Sequence, residues 1–319
     1  MIKKIIILFI TSFVLSCSDD NEFTEIEPKN EIEYSFARSI FFKKGKVLTT
    51  GIKNSNNNST TEFWIDNIVT DSISFVHSLE IDDVYQGSVD NSSRITYINK
   101  TVNGNTDLYS FNQGVIVADN NISYYNNNNL INTEIPNPGV LSTVNFFNGQ
   151  PFFCGHFSKD GTLEEVGGQI FSPDIPFFWD GDSSVIQLPI PEELFFRGTS
   201  CLFVDENDFY VGGKTSFPMY WKNTEIIKLG DLYGQVNQII LSEESIYAVG
   251  FYNKNNSNSI GNIACYWKNG ELFELDDDAQ ANSIYIDGND IYVCGSTGNV
   301  PIEYNACYWK NGIRVDLPM

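Results

Sequence analysis

Residues 283–295 read SIYIDGNDIYVCG, and residues 306–318 read ACYWKNGIRVDLP. In the first stretch Ser-Ile-Tyr-Ile and Asp-Ile-Tyr-Val alternate apolar with other residues. They flank Asp287-Gly288-Asn289-Asp290, which predicts a hairpin. In the second stretch the Ala-Cys-Tyr-Trp and Ile-Arg-Val-Asp-Leu segments flank Lys310-Asn311-Gly312. Asn-Gly supplies the positive φ angles of a tight primed turn, so this is a second hairpin. Four short strands in about 36 residues form the unit.

The same phrase recurs toward the N-terminus. QIILSEESIYAVG (238–250) precedes ACYWKNGELFELDD (264–277). SCLFVDENDFYVGG (200–213) precedes PMYWKNTEIIKLGD (218–231), and TVNFFNGQPFFCG (143–155) precedes PFFWDGDSSVIQLPI (176–190). Trp179, Trp221, Trp267 and Trp309 hold one phase, at spacings of 42, 46 and 42 residues. RSIFFKKGKVLTTG with EFWIDN (38–67) is another copy, carrying Trp64. Residues 78–102 hold a fainter copy, and 107–135 another with Tyr125 in the Trp slot. Seven units over 33–319 give about 41 residues each, and six would give about 48, longer than the clearest copies. No segment shows a helical period. Repeated four-stranded units of this length predict an all-β chain folded as a single β-propeller, with seven blades preferred and six as the alternative. Two packed β-sandwiches would also be all-β, but would not need seven copies of one phrase.

The strand order resembles that of kelch-type propellers: an inner strand, a turn, a Tyr-Val-x-Gly strand, a long loop, a Tyr-containing strand, a turn and a last strand. The resemblance covers roughly residues 36–318. It departs from kelch in having a double glycine at the end of strand two only in one unit, at Gly212-Gly213, and in placing the aromatic before the second turn. The resemblance therefore implies an architecture, not a kelch partner or activity. The last unit ends with its fourth strand at the C-terminus, so no strand exchange closes the ring unless residues 32–37 help.

The first twenty residues, MIKKIIILFITSFVLSCSDD, carry Lys3 and Lys4, then an apolar run from Ile5 to Leu15. That run is too short to span the roughly 30 Å hydrocarbon core of a membrane, so residues 1–16 read as an export signal. Val14-Leu15-Ser16-Cys17 resembles a bacterial lipobox, which implies acylation of Cys17 and a membrane partner. The acids following Cys17 resemble the export signal of Bacteroidetes surface lipoproteins, implying an outer-membrane lipid anchor on the cell surface, otherwise on the periplasmic face. Residues 17–32 are then an acidic tether, and 33–319 the propeller.

Composition narrows the function. The chain has Lys+Arg 19 against Asp+Glu 41, a net charge of −22, and 14% aromatic residues. It has enough apolar residues to bury a core, and its charge repels nucleic acid. It also disfavours a polyanionic ligand, since the sequence shows no local basic patch. The shared Trp phase reads as packing between neighbouring blades, because a ligand site would not be copied into every blade. Cys154 and Cys294 share a slot filled elsewhere by Val249, Gly212 and Thr50, and Cys265 shares another with Cys307, so these read as small buried side chains. A disulfide between Cys294 and Cys307, on adjacent strands of one blade, stays open. Asp82-Asp83, Asp205 with Asp208, and Asp287 with Asp290 fall in equivalent turns, where Asp bonds its own backbone. No metal-ligand spacing, catalytic motif or cofactor signature is present.

Binding residues are therefore expected in the loops between strands two and three, which vary in length on a repeated frame. The longest runs from His156 to Pro176 and carries His156, Lys159, Asp160, Glu164, Glu165 and Asp174, the candidate ligand-binding set. The expectation is a non-enzymatic envelope module that binds protein or glycan at this rim. A glycoside hydrolase or polysaccharide lyase, or an architectural subunit of an envelope complex, are the alternatives.

Overall fold

The computed structural model describes residues 33–55, 58–70, 85–89, 94–100, 106–112, 123–126, 129–133, 135, 139–158, 164–166, 169–171, 174–182, 184–191, 194–256, 261–298 and 304–318. The expected export signal, Cys17 and the expected tether lie outside these residues.

The described residues are strands and turns. The first sheet contains β1 (Glu33–Lys43), β2 (Lys46–Ser55), β3 (Asn58–Ile65) and β4 (Ile68–Thr70), hydrogen-bonded in that order. A five-stranded sheet follows, from β5 (Tyr85–Val89), β6 (Arg94–Lys100), β7 (Thr106–Asn112), β8 (Ser123–Asn126) and β9 (Asn129–Asn132). The third contains β10 (Gly139–Phe147), β11 (Gln150–Ser158), β14 (Asp174–Trp179) and β15 (Ile186–Gln187), with a separate hairpin of β12 (Glu164–Val166) and β13 (Gln169–Phe171) inserted between β11 and β14. The fourth holds β16 (Phe196–Val204), β17 (Phe209–Thr215), β18 (Met219–Lys222) and β19 (Glu225–Lys228). The fifth holds β20 (Gly234–Ser242), β21 (Ser245–Asn253), β22 (Asn262–Lys268) and β23 (Glu271–Asp277), and the sixth β24 (Ala279–Asp287), β25 (Asp290–Thr297), β26 (Asn305–Lys310) and β27 (Ile313–Asp316). The short loop after Thr215 lets β17 pair with β20 at Lys214↔Gln235, so the fourth and fifth sheets run together.

Every adjacent pairing is antiparallel, each sheet packs on the next, and the first packs on the sixth. The domain is a β-propeller. The two units expected at 78–102 and 107–135 do not stand as separate sheets: β6 pairs with β7 along its whole length, joining them into the five-stranded sheet. Residues 71–84 and 113–122 lie outside the described residues.

The Trp-Lys-Asn-Gly phrase is explained by its turn. Asn269 and Asn311 sit at φ +51, followed by Gly270 at +85 and Gly312 at +81, so both central turn residues are left-handed. Each Asn side chain also accepts from the neighbouring hairpin: Ile246 N–H donates to Asn269 Oδ1 and Ile291 N–H to Asn311 Oδ1, at 2.9 and 2.8 Å. The preceding Lys lies over the strand-two Tyr, Lys268 on Tyr247 and Lys310 on Tyr292, at 5.3 and 5.0 Å from the ring centre. Of the turn acids, Asp205 caps its own turn through Asn207 and Asp208 N–H. Asp208 and Asp290 act differently: they accept from Asn223 and Asn311 and pair with Lys222 and Lys310 at 2.9 Å.

Trp64, Trp221, Trp267 and Trp309 are each at most 1% exposed, as the packing reading expects. Each ring joins a core shared with the preceding sheet: Trp221 packs with Cys154, Phe178 and Leu188, and Trp309 with Tyr247, Val249 and Ala264. Burying such a ring is worth on the order of 4–6 kcal/mol of gross transfer free energy.

Among the described residues, no strand is exchanged at the seam between the first and sixth sheets. Ser35 N–H donates to Tyr304 O at 2.8 Å, Ala306 N–H to Ser35 Oγ at 3.0 Å, and Trp64 Nε1 to Pro318 O at 2.9 Å. Phe42 stacks on Tyr292 at 5.0 Å. Residues at the start of β1 thus latch the ring. Trp64→Phe removes the indole bond and opens a cavity at this seam. We expect a loss of about 2–4 kcal/mol in denaturant unfolding of the purified protein.

The strand-two glycine follows from a register slip. The inner strands β1, β10, β16, β20 and β24 each carry an irregularity after Ala37, Leu141, Thr199, Val236 and Ala281 respectively. Next to it the backbones close in. A Cβ on Gly51, Gly155, Gly250 or Gly295 would sit 1.9–2.0 Å from the carbonyl oxygen of Phe36, Val140, Gln235 or Gln280. Gly250→Ala must therefore push β20 and β21 apart, and we expect a loss of about 3 kcal/mol or more by thermal or denaturant unfolding. A loss below about 1 kcal/mol would show that the bulge yields freely.

Candidate functional site

The residues displaced by the slips are Arg38, Ser142, Ser200, Asn237 and Asn282. All are polar, they come from five sheets, and four of them line an axial cavity of about 90 Å³. Thr143, Asn145 and Gln238 add further amides and hydroxyls to its wall. No Asp or Glu is among the described lining, although acids outnumber bases by 41 to 19 in the chain.

The displaced side chains bond from sheet to sheet in one direction. Ser200 Oγ donates to Val236 O, Asn237 Nδ2 to Ala281 O at 2.7 Å, and Asn282 Nδ2 to Ala37 O at 2.7 Å. In each case the acceptor is the carbonyl just before the next sheet's displaced residue. The next side chain along completes the link: Ile284 N–H donates to Gln238 Oε1 at 2.6 Å and Ile40 N–H to Ser283 Oγ at 3.3 Å. Around the third sheet, Thr199 Oγ1 donates to Ser142 Oγ and Val204 N–H to Asn145 Oδ1, at 2.7 and 3.2 Å. This belt satisfies carbonyls that the bulges remove from the ladders.

One cationic side chain, Arg38, lines the cavity. Arg38 is exposed on the cavity, and its guanidinium carbon lies 5.5 Å from the Phe36 ring centre. Lys214 follows Gly213 on β17 and is partly buried. Burial first, and then the Arg38 charge, hold its ammonium below the usual lysine range. The same slot after the strand-two glycine holds Ile52, Phe251 and Ser296 in other sheets, all buried, and His156 in the third.

Of the residues expected to bind ligand, His156 lies on β11 opposite Val140 and Pro176. Its ring faces Phe196 edge-on at 6.1 Å, and its Cε1 lies 3.0 Å from where a Cβ on Gly198 would be. It thus sits against the start of the fourth sheet's inner strand. Asp174 opens β14 opposite Ser158, and Glu164 and Glu165 lie on β12, paired with Phe171 and Ile170. Lys159 and Asp160 lie outside the described residues. The insert thus leaves the rim at Ser158 and returns at Asp174.

The cysteines add no chemistry here. Cys154, Cys201, Cys265, Cys294 and Cys307 are free and buried, and burial pushes the Cys201 thiol up to about 12. The Cys294–Cys307 disulfide does not form. Cys294 pairs with Tyr308, and Cys307 with Gly295, so the two thiols leave opposite faces of the sheet. One joins the Trp64 cluster and the other the Trp309 cluster.

The axial belt is not legible in the sequence, because a bulge is set by pairing. The signal was present as a recurring polar residue in a strand otherwise apolar at that point: Ala37-Arg38, Val236-Asn237, Ala281-Asn282. Asn282→Ala leaves the Ala37 carbonyl without its side-chain donor, and we expect about 1–3 kcal/mol of destabilisation by denaturant titration.

No family model matches the chain, and no curated protein matches it. Among solved structures, the β-propeller domain of the Trilobed protease from Pyrococcus furiosus is 10% identical, with 90% of this chain and 98% of that chain covered and a TM-score of 0.44. Pyrococcus horikoshii acylaminoacyl peptidase is 12% identical at a TM-score of 0.38, with 90% of this chain covering 46% of that one. Trypanosoma rangeli sialidase in complex with sialic acid is 8% identical at a TM-score of 0.38, with 87% of this chain covering 54% of that one. The chain thus spans about half the length of the peptidase and of the sialidase.

Proposed function

We propose that this chain is a lipid-anchored envelope propeller acting as a binding module, and that it takes a glycan at the rim where the strand two–three loops and the axial cavity meet. The observation that carries this reading is the cavity wall, in which five sheets converge amides, hydroxyls and one guanidinium on a small space. Such groups recognise hydroxylated ligands by donating and accepting in fixed directions. Hydrolysis of a glycosidic bond asks for two facing carboxyl groups about 5–10 Å apart. The described lining offers none, which supports recognition over hydrolysis.

The size of the cavity supports a particular pose. About 90 Å³ admits one functional group, so a sugar chain rests across the mouth and lowers a substituent into it. The displaced residues lie in the first half of each inner strand, the end near the inter-sheet links and the strand two–three loops. The insert of the third sheet springs from that rim, and His156, Lys159, Asp160, Glu164, Glu165 and Asp174 would extend the contact surface.

Attachment to the outer membrane follows from acylation of Cys17, each buried methylene contributing about 0.8 kcal/mol. Cys17→Ser is expected to move the protein from the membrane fraction to the soluble fraction; membrane retention would remove the anchor from this reading. For binding, the purified Cys17→Ser chain applied to an array of neutral and acidic oligosaccharides is expected to capture a subset. Replacing 159–173 by a Gly-Ser linker should weaken that capture. Undiminished capture would confine the site to the axial mouth, and capture of no oligosaccharide would sink the glycan reading.

A further inference from the structure

We propose that Phe195 and Arg197 form a platform for one ring of the glycan, and that this ring is a neutral hexopyranose with equatorial hydroxyls. This rests on the glycan reading above and names the sugar that its rim would hold.

The inner strand β16 departs from its counterparts. β1, β10, β20 and β24 each slip once against strand two, whereas β16 slips twice. The additional slip falls between Phe196↔Thr215 and Gly198↔Lys214, and it leaves Arg197 outside the pairing. Gly198 follows at φ +136, a conformation that residues with a side chain rarely adopt. A Cβ there would also meet the His156 ring at 3.0 Å. The two displaced side chains differ in use. Ser200 bonds to Val236 of the next sheet, whereas Arg197 makes no hydrogen bond or ion pair with the described residues.

Alternation decides where the neighbours point. Leu194 is buried, and Phe196 packs edge-on against Trp221 and His156 at 5.9 and 6.1 Å. Phe195 and Arg197 face solvent instead. Phe195 is 53% exposed, and no other aromatic residue among those described is exposed. The Arg197 guanidinium carbon lies 5.2 Å from its ring centre, which orients the fork without the help of an acid. Lys46, Lys222, Lys228, Lys254, Lys310 and Arg314 all pair with acids.

The pair stands between the two contact surfaces already described. Ser200, on the wall of the axial cavity, lies three residues farther along β16, about 10 Å at the usual strand rise. On the other side His156 rests against Phe196 and Gly198, and the third sheet's insert leaves two residues later at Ser158. An oligosaccharide running from cavity to insert crosses this platform. A pyranose with equatorial hydroxyls has a flat face of axial C–H groups, and packing that face on an exposed phenyl ring takes apolar area of both out of water. Two adjacent equatorial hydroxyls accept from the parallel N–H groups of the fork, which the phenyl ring already holds in place. The net charge of −22 acts against a polyanionic sugar, which favours a neutral one.

The test is calorimetric titration of the Cys17→Ser chain with cellotetraose, joined to saturation-transfer NMR of the bound sugar. Cellotetraose is expected to bind, with saturation strongest at the axial protons of one ring face. Phe195→Ser should weaken binding at least about tenfold and erase the face preference, while Phe195→Trp keeps both. Arg197→Lys keeps the charge, removes the fork and should weaken binding by a similar factor. Circular dichroism and melting establish that the variants are folded. Binding that survives both Phe195→Ser and Arg197→Lys overturns the platform. Absence of cellotetraose binding, with other oligosaccharides still captured on the array, overturns it too and leaves the glycan reading standing. Capture of no oligosaccharide removes both. Self-association in sedimentation that disappears in Phe195→Ser reassigns the pair to a contact between copies of the chain.

Discussion

The structure depends on one register slip, repeated in the inner strand of sheet after sheet. A bulge at the same position turns a polar side chain out of the ladder and toward the axis. The carbonyl ahead of it then runs so close to strand two that only glycine fits opposite, at Gly51, Gly155, Gly250 and Gly295. The displaced side chain reaches the next sheet and satisfies a carbonyl there, as Asn237 does for Ala281 and Asn282 for Ala37. One local irregularity thus explains the glycine of the Tyr-Val-x-Gly strand and the polar lining of the cavity.

Stability is built on the outer side of that belt. The indoles fill the wedge between sheets, and the turn asparagines and lysines tie each hairpin to its neighbour. The seam has to be made from residues more than 240 positions apart, such as Ser35 with Ala306 and Trp64 with Pro318. Closing so long a loop is costly in entropy, though the cost grows only slowly with length. Among the described residues no strand is shared at this point, and the latch at Ser35 and the packing of Trp64 join the two sheets. The acids at the turns contribute as well. Asp208 is held below the ordinary aspartate range by its bonds to Lys222 and Asn223, and Asp290 by those to Asn311 and Lys310. A depressed carboxylate stabilises the fold above the ordinary aspartate range and loses that contribution as pH falls through it.

The two rims therefore divide the work. At the tight turns Asp208 and Asp290 are paired with Lys222 and Lys310, and Asn269 and Asn311 accept from the neighbouring hairpin. The opposite rim carries the loops that differ in length, the third sheet's insert, and the opening lined by amides, hydroxyls and Arg38. Recognition chemistry concentrates where the frame is rigid and its polar groups are not consumed by the turns.

The sequence by itself determined the repeating unit. Alternation marked the strands, Asn-Gly marked the turns, and a Trp in constant phase marked the buried wedge, because each of these is a local requirement met by neighbouring residues. The buried thiols were legible for the same reason, through their interchange with Val249 and Thr50. Tertiary structure alone decided how units associate. The weak copies around 78–135 share one sheet because β6 found its partner in β7. Cys294 and Cys307 stay apart because register puts them on opposite faces. Polar residues of five sheets line one cavity only when those sheets stand around a common axis. Pairing register and ring closure are long-range properties, and no window of sequence contains both of their partners.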